Sequence, residues 1–256
     1  MDIHVPKDHP RYQSITIREQ LVDAVRQMIV APAGLIAHGR GEAFDYLFGE
    51  QTPPPTFSAI TAAASSLLLA RHPVLSVNGN LAALCAKDVV ALSGLIGAPI
   101  EVNLFYRTLE REQTIAKVLH DAGAEEVLGV GEAASETVPE IGSERRRIDP
   151  RGIGVADVVF VPLEDGDRTE GLIAMGKTVI TVDLNPLSRT ARRASITIVD
   201  NIIRVMPLLL KEIARLQEES KKMYEKFLND FNNTENLKAE LRFIADRLND
   251  FSFTGE

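Results

Sequence analysis

A single cysteine, Cys85, stands in this chain of 256 residues, which excludes an internal disulfide and any site built from several cysteine ligands. It lies in the apolar stretch Leu81-Ala82-Ala83-Leu84-Cys85-Ala86 and reads as a small buried hydrophobe. Positive charge is also short: 28 Lys and Arg against 36 Asp and Glu leave a formal net charge of -8. That balance supplies no general field for a polynucleotide, although clustered arginines still make a local anion site on an acidic protein. Small phosphorylated ligands fit, and no nucleic-acid partner is expected. No apolar run approaches the ~18 residues needed to cross a bilayer, and the opening residues are polar rather than secretory. The expectation is a soluble, cytoplasmic protein with no membrane partner. A P-loop signature is missing too. Gly129-Val130-Gly131-Glu132-Ala133-Ala134 does match a dinucleotide-binding pattern, but the residues from Ser135 to Pro139 break a helix instead of extending one, so the match lacks its structural context.

What is present is an alternation of short β-branched runs with longer helical patterns between Val74 and Val199, the signature of a parallel sheet built from βαβ units. Candidate strands are 74–77, 100–104, 126–130, 158–161, 178–182 and 196–199; candidate helices are 59–71, 81–96, 111–122 and 169–175. The fold class predicted is α/β, a doubly wound, mostly parallel sheet. An N-terminal helix is expected over 17–29, with Ser14 or Thr16 as caps, and loops over 50–56 and 135–154. Two C-terminal helices, 203–227 and 237–251, carry apolar stripes, and either cover the sheet or pair with another subunit. The chain divides into a core over 1–202 and a helical extension over 203–256.

The polar residues gather where strands end, the edge at which open α/β sheets bind ligands. After the run 178–182 comes Asp183-Leu184-Asn185-Pro186-Leu187-Ser188-Arg189-Thr190-Ala191-Arg192, an acid, amide and hydroxyl groups and arginines suited to an anionic nucleotide. Gly39-Arg40-Gly41, in the segment 32–46, reads as a glycine loop that cradles phosphate, or as an ordinary turn with a solvated arginine. His38 beside it could act as an acid or base, but a lone histidine more often reads as a structural, hydrogen-bonded residue, and it is assigned no catalytic role. Asn78-Gly79-Asn80 opens a helix suited to an anion, with Asn80 as the alternative N-cap. Asn103 and Arg107 bring a second polar strand end. Glu164, Asp165, Asp167 and Arg168 form either a magnesium-holding loop or a solvated turn with Asp167 as helix cap. Asp200 and Asn201 end the last strand, where Asp200 accepts from a ribose or caps the helix that follows.

Seven segments, HPRYQSITIREQL, GLIAHGRGEAFDYLFGE, SVNGN, EVNLFYRT, VPLEDGDRTE, DLNPLSRTAR and TIVDN, occur in order within a stretch that runs from about His9 to Pro207. Together they resemble the archaeal phosphopantothenate synthetases, also called 4-phosphopantoate-β-alanine ligases. The resemblance implies a homodimeric, Rossmann-like enzyme of coenzyme A biosynthesis that joins 4-phosphopantoate to β-alanine. ATP and Mg2+ are implied, with an acyl adenylate as intermediate and AMP and diphosphate as products. It implies an ATP site of Arg18, Arg40, Val182, Asp183, Leu184, Asn185, Ser188, Arg189, Asp200 and Asn201. Position on the sheet edge and charge assign 4-phosphopantoate to Asn78, Asn80, Arg107 and Arg168. Arg40 and Arg189 are the residues expected to stabilise charge on the transferring phosphoryl group. Metal ligands are not assigned; Glu42, Asp45 and Asp165 are candidates for a base. The rival readings are an NAD- or nucleotide-sugar-dependent enzyme using Gly129 to Gly131, and a nucleotide-binding regulator without turnover.

Overall fold

The computed structural model describes residues 6–9 and 11–252; part of the polar opening stretch and the end of the C-terminal extension lie outside the described residues. In chain order the first half runs α1 (Tyr12–Arg26), α2 (Pro32–Phe48), α3 (Thr56–Leu69), β1 (Pro73–Val77), α4 (Gly79–Ile96), β2 (Ile100–Val102), α5 (Leu109–Asp121) and β3 (Val127–Leu128). A short antiparallel pair follows, β4 (Glu136–Thr137) with β5 (Arg147–Ile148). The rest is β6 (Val158–Phe160), α6 (Gly166–Ala174), β7 (Thr178–Val182), α7 (Arg189–Arg193), β8 (Ile196–Ile198), α8 (Ile202–Leu216), α9 (Lys221–Asp230) and α10 (Asn233–Asn249).

The six expected strands form one parallel sheet in the order β3-β2-β1-β6-β7-β8. Leaving the hairpin aside, this is the doubly wound order whose switch point lies between the first and fourth strands, here β1 and β6. Side chains alternate between two cores, as the two-residue period of a strand requires. Leu75, Phe160 and Ile180 face one core with α1, α3, α4, α5 and α8. Val74, Val159 and Val179 face the other.

Several expectations need correction. The segment 135–154 is not merely a surface loop: Val138, Ile141, Ile148 and Ile153 are buried against the second sheet face. The expected glycine loop is the helix α2, with Pro32 at its first turn and Gly49 as a left-handed C-cap (φ 80°). Both are favoured helix ends, and Phe48, with Phe44 and Leu47, packs on Leu184, Ala191, Val199 and Leu237. That burial outweighs the ~1 kcal/mol that each interior glycine costs a helix. Neither Ser14 nor Thr16 caps α1; their hydroxyls donate to Arg11 O and Tyr12 O within it.

The stripe expected as one helix over 203–227 is broken into α8 and α9. Tyr224 Oη donates to Leu216 O (2.6 Å) at the end of α8 and to Glu219 O (3.2 Å) in the turn after it, holding α9 against that end. The C-terminal helices cover the fold: α8 packs on α3 and α4, α9 on α3, and α10 on α2, α3, α7 and β8. One helix, α4, is long and apolar enough to cross a membrane by length and composition, contrary to the sequence expectation. It packs against α1, α5 and α8, as a core helix does. Within it Cys85 is buried, and burial pushes its thiol up to about 12, which makes it unreactive.

Candidate functional site

The neighbouring ends of β7 and β8 bring Asp183 and Asp200 together under α2. The Asp183 carboxylate accepts from Asn185 N (2.9 Å) and from Ser188 Oγ, while Ser188 Oγ accepts from Ala191 N (2.9 Å) as the N-cap of α7. Asn185 Oδ1 accepts from Leu187 N (2.9 Å). Burial raises the Asp183 carboxyl, opposed by these hydrogen bonds and by the Arg40 charge. Asn201, not Asp200, caps α8 by accepting from Ile203 N. Asp200 instead accepts from Thr52 Oγ1 (2.6 Å) and from Arg204 Nε (2.8 Å). Burial raises Asp200 as well, and Arg204 and Thr52 oppose it. The same Arg204 reaches Asp45 on α2, whose Oδ2 also accepts from Asn201 Nδ2 (3.1 Å).

α2 therefore crosses the carboxyl edge of the sheet. At one end Gly34 lies so close to Asn80 that a Cβ there would collide with its side chain, and Asn80 Nδ2 donates to Gly34 O (3.1 Å). Farther along, a Cβ on Gly41 would sit 3.5 Å from Leu184 Cδ1, and Asp45 meets Asn201 and Arg204. Arg18 of α1 binds Glu42 of α2 through Nε (3.0 and 3.1 Å) and donates to Tyr46 Oη (3.0 Å). Arg40 is exposed and, among the described residues, makes no hydrogen bond or ion pair.

Arg189 points elsewhere. Its guanidinium pairs with Asp167 (2.6 Å) and with Glu170 (Nε, 3.0 Å) of α6, and its stem lies against Gly166, where a Cβ would be 2.7 Å away. Of the expected nucleotide residues, Arg18, Arg40, Asp183, Asn185, Ser188, Asp200 and Asn201 share one region. Val182 and Leu184 are buried beneath it.

At the switch point, Asn78 rather than Asn80 caps α4 by accepting from Leu81 N (3.1 Å). Its amide donates to Pro162 O (3.0 Å) and Leu163 O (3.1 Å), tying the end of β1 to that of β6. Asp165, not Asp167, caps α6. Arg168 is 1% exposed and donates to Glu164 Oε2 (2.7 Å) and Ser76 Oγ (2.9 Å). Arg107 pairs with Glu112 and donates to Gly129 O (2.6 Å) and Arg147 O (3.2 Å). Asn103 donates to Arg147 O (2.9 Å). Burial lowers Arg107, and brings Arg168 down to about 10. Both arginines are thus committed to protein partners.

The magnesium-loop carboxylates are committed likewise: Glu164 to Arg145 and Arg168, Asp165 to Arg145, and Asp167 to Arg189. Among the described residues no group of three or more His, Cys, Asp or Glu has a metal-holding arrangement. The segment from Gly129 to Ala134 does not open an α-helix; a single 3-10 turn leads from it toward β4.

Sequence reading missed Arg204, Thr52 and Arg145. The Asp200 and Arg204 spacing, one helical turn at the start of a helix, was a usable signal. Arg145 was hidden in a segment read as a loop, yet it is buried beside Phe105, 5.7 Å above the ring centroid.

A family model described as phosphopantothenate/pantothenate synthetase matches residues 55–247. The chain is 49% identical over 247 residues to the 4-phosphopantoate-β-alanine ligase of Thermococcus kodakarensis, covering 96% of this chain and 94% of that one. It is 47% identical over 244 residues to the ligase of that name from Methanosarcina mazei, covering 95% of both chains. With the one from Methanospirillum hungatei it shares 42% identity over 244 residues, covering 95% of this chain and 98% of that one.

Proposed function

Because the chain belongs to the phosphopantothenate/pantothenate synthetase family, we propose that it joins 4-phosphopantoate to β-alanine at the expense of ATP. The observation that carries this reading is 47–49% identity along almost the whole chain to ligases of that name. A ligase of this family uses a nucleotide; ATP, cleaved to AMP and diphosphate, is our reading of which nucleotide and how. The 4-phosphopantoate carboxylate attacks the α-phosphorus, and β-alanine nitrogen then displaces AMP from the acyl adenylate.

The residues present suit that chemistry, which rests on positioning and charge neutralisation instead of a protein nucleophile. ATP binds under α2, with Asp200 and Asn201 toward the ribose, and Arg18, Arg40, Asn185 and Ser188 around the remainder. Arg40 has a guanidinium with no protein partner, available to the triphosphate. Arg189 joins it by leaving Asp167 and Glu170; exposed pairs of this kind are worth only ~0–1 kcal/mol, so the exchange is inexpensive. Mg2+ would be carried mainly on the triphosphate, with few protein ligands, and neutralise its charge. Asn78, Asn80, Arg107 and Arg168, which follow β1, β2 and β6, shape the 4-phosphopantoate end. Since Arg107 and Arg168 are paired inside the protein, their contribution is mainly to fix that wall and its field.

The assembly we infer is a homodimer, for which exposed Ile36, Tyr46 and Phe57 on α2 and α3 offer apolar surface. A cytoplasmic setting follows from charged, water-soluble substrates. Product analysis with each substrate omitted in turn tests the reading: AMP and 4′-phosphopantothenate should form only in the complete mixture. ADP in place of AMP would replace the adenylate by an acyl phosphate, and no nucleotide cleavage by folded protein would overturn the ligase.

A further inference from the structure

His38 was expected to be a hydrogen-bonded structural histidine, and it is not. Among the described residues its half-buried ring makes no hydrogen bond or ion pair. It lines a cleft with Gln13 and Ser14 of α1 and with Asn201 and Arg204 at the start of α8. Its position along α2 is informative. Gly34, one turn earlier, rests on Asn80 at the 4-phosphopantoate end, and Gly41, about one turn later, rests on Leu184 at the nucleotide end. At ~1.5 Å of rise per residue, His38 is only ~4.5–6 Å along the helix from either contact. A ligase must bring its acyl carbon and amine together between those two ends.

Formation of the amide requires a proton acceptor, because β-alanine is an ammonium ion at neutral pH and its nitrogen has no lone pair to offer. The three carboxylates first considered as bases are all ion-paired: Glu42 with Arg18, Asp45 with Arg204 and Asp165 with Arg145. A carboxylate whose oxygens already accept from a guanidinium is engaged and not free to take a proton from the substrate. We propose that His38 is the catalytic base that takes the proton from the β-alanine ammonium; this rests on the ligase reading above.

Burial pulls the imidazole below its ordinary value and Arg18 acts in the same sense, while Glu42 and Asp45 oppose them. The other charged groups lining the cleft are Glu50, after α2, and Arg204 of α8. A neutral imidazole has a free ring nitrogen with which to accept a proton. In the step, one ammonium proton passes to that nitrogen, and the freed lone pair forms the C–N bond to the activated carboxyl carbon. The bond from that carbon to the phosphoryl oxygen breaks, its electron pair leaving with the phosphate. The second proton lost from nitrogen goes to the leaving phosphate or to solvent.

Hydroxylamine separates this role from a structural one, since it is a weakly basic nucleophile already largely unprotonated at neutral pH. His38→Ala and His38→Gln are assayed with ATP, Mg2+ and 4-phosphopantoate, using either β-alanine or hydroxylamine as acceptor. Both variants should lose at least ~10²-fold in the β-alanine reaction, the lower end of general-base contributions, and keep hydroxamate formation within a few-fold of the unmodified protein. The loss with β-alanine should shrink as pH rises and free amine accumulates. Equal losses with both acceptors, or no loss with either, would overturn the assignment. Absence of both products in the unmodified protein would instead sink the ligase reading, and the role of His38 with it.

Discussion

Arg204 Nε lies 2.8 Å from Asp200 Oδ1, one turn before it at the start of α8, and this ion pair ties a strand end to the helix that follows. The same guanidinium binds Asp45, so one partly buried cation joins β8, α8 and the helix crossing the sheet edge.

Arg204→Ala leaves Asp45 and Asp200 buried without their cation. Removing one partner of a buried ion pair costs about 3–5 kcal/mol, so denaturant unfolding should register a loss of that order. The affinity for ATP should fall with it, because Asp200 and Asn201 lose their fixed positions. An unchanged midpoint would show that the network is not cooperative.

Arg40→Ala is expected to behave oppositely. An exposed, unpaired side chain contributes within about 0.5 kcal/mol to stability, yet removal of one charge-stabilising donor typically costs ~10²-fold or more in rate. Steady-state turnover and thermal unfolding of one preparation check both halves. Near-normal turnover would refute the role given to Arg40.

Two glycines of α2 should respond differently to alanine. A Cβ at Gly39 meets nothing within 4 Å, whereas one at Gly34 runs into Asn80 and Val30. Gly39→Ala should stabilise the protein by up to ~1 kcal/mol through helix propensity. Gly34→Ala should destabilise it and weaken 4-phosphopantoate binding, as isothermal titration would report.

Glu240 on α10 is fully buried, and burial pushes its carboxyl up to about 8, with Thr56 opposing through a 2.9 Å hydrogen bond and Asp200 adding to the rise. A folded-state value above the unfolded one means stability that is fully present below the unfolded glutamate range. It is lost as pH rises from there through about 8. Glu240→Gln removes the titration, so its melting temperature should fall less than that of the unmodified protein between pH 5 and pH 8, a range estimated roughly from that linkage. Parallel pH profiles for the two would count against the buried carboxyl as the source.

Strand positions and polar strand ends were legible in the sequence because buried parallel strands favour apolar, β-branched runs and charge gathers where such runs leave the sheet, Glu101, fully buried within β2, being the exception. Asp183, Asn185, Ser188, Asp200 and Asn201 could therefore be picked out one segment at a time. The caps were misassigned where two candidates lay close together: Asn78 against Asn80, Asp165 against Asp167, and Asn201 against Asp200. Composition does not distinguish such neighbours, since the choice depends on which residue takes the extended backbone angle before the first turn.

The sequence by itself determined a doubly wound sheet and which edge of it is polar, because both follow from local periodicity. Only the tertiary structure decided that the glycine-rich segment is a helix lying across that edge, since its stability comes from packing against Leu184, Val199 and Leu237, contacts distant in sequence. The partners of each arginine were decided there too. Arg204 and Asp45 meet through the fold alone, while Arg40 is left unpaired beside them, and no local rule tells a committed guanidinium from a free one.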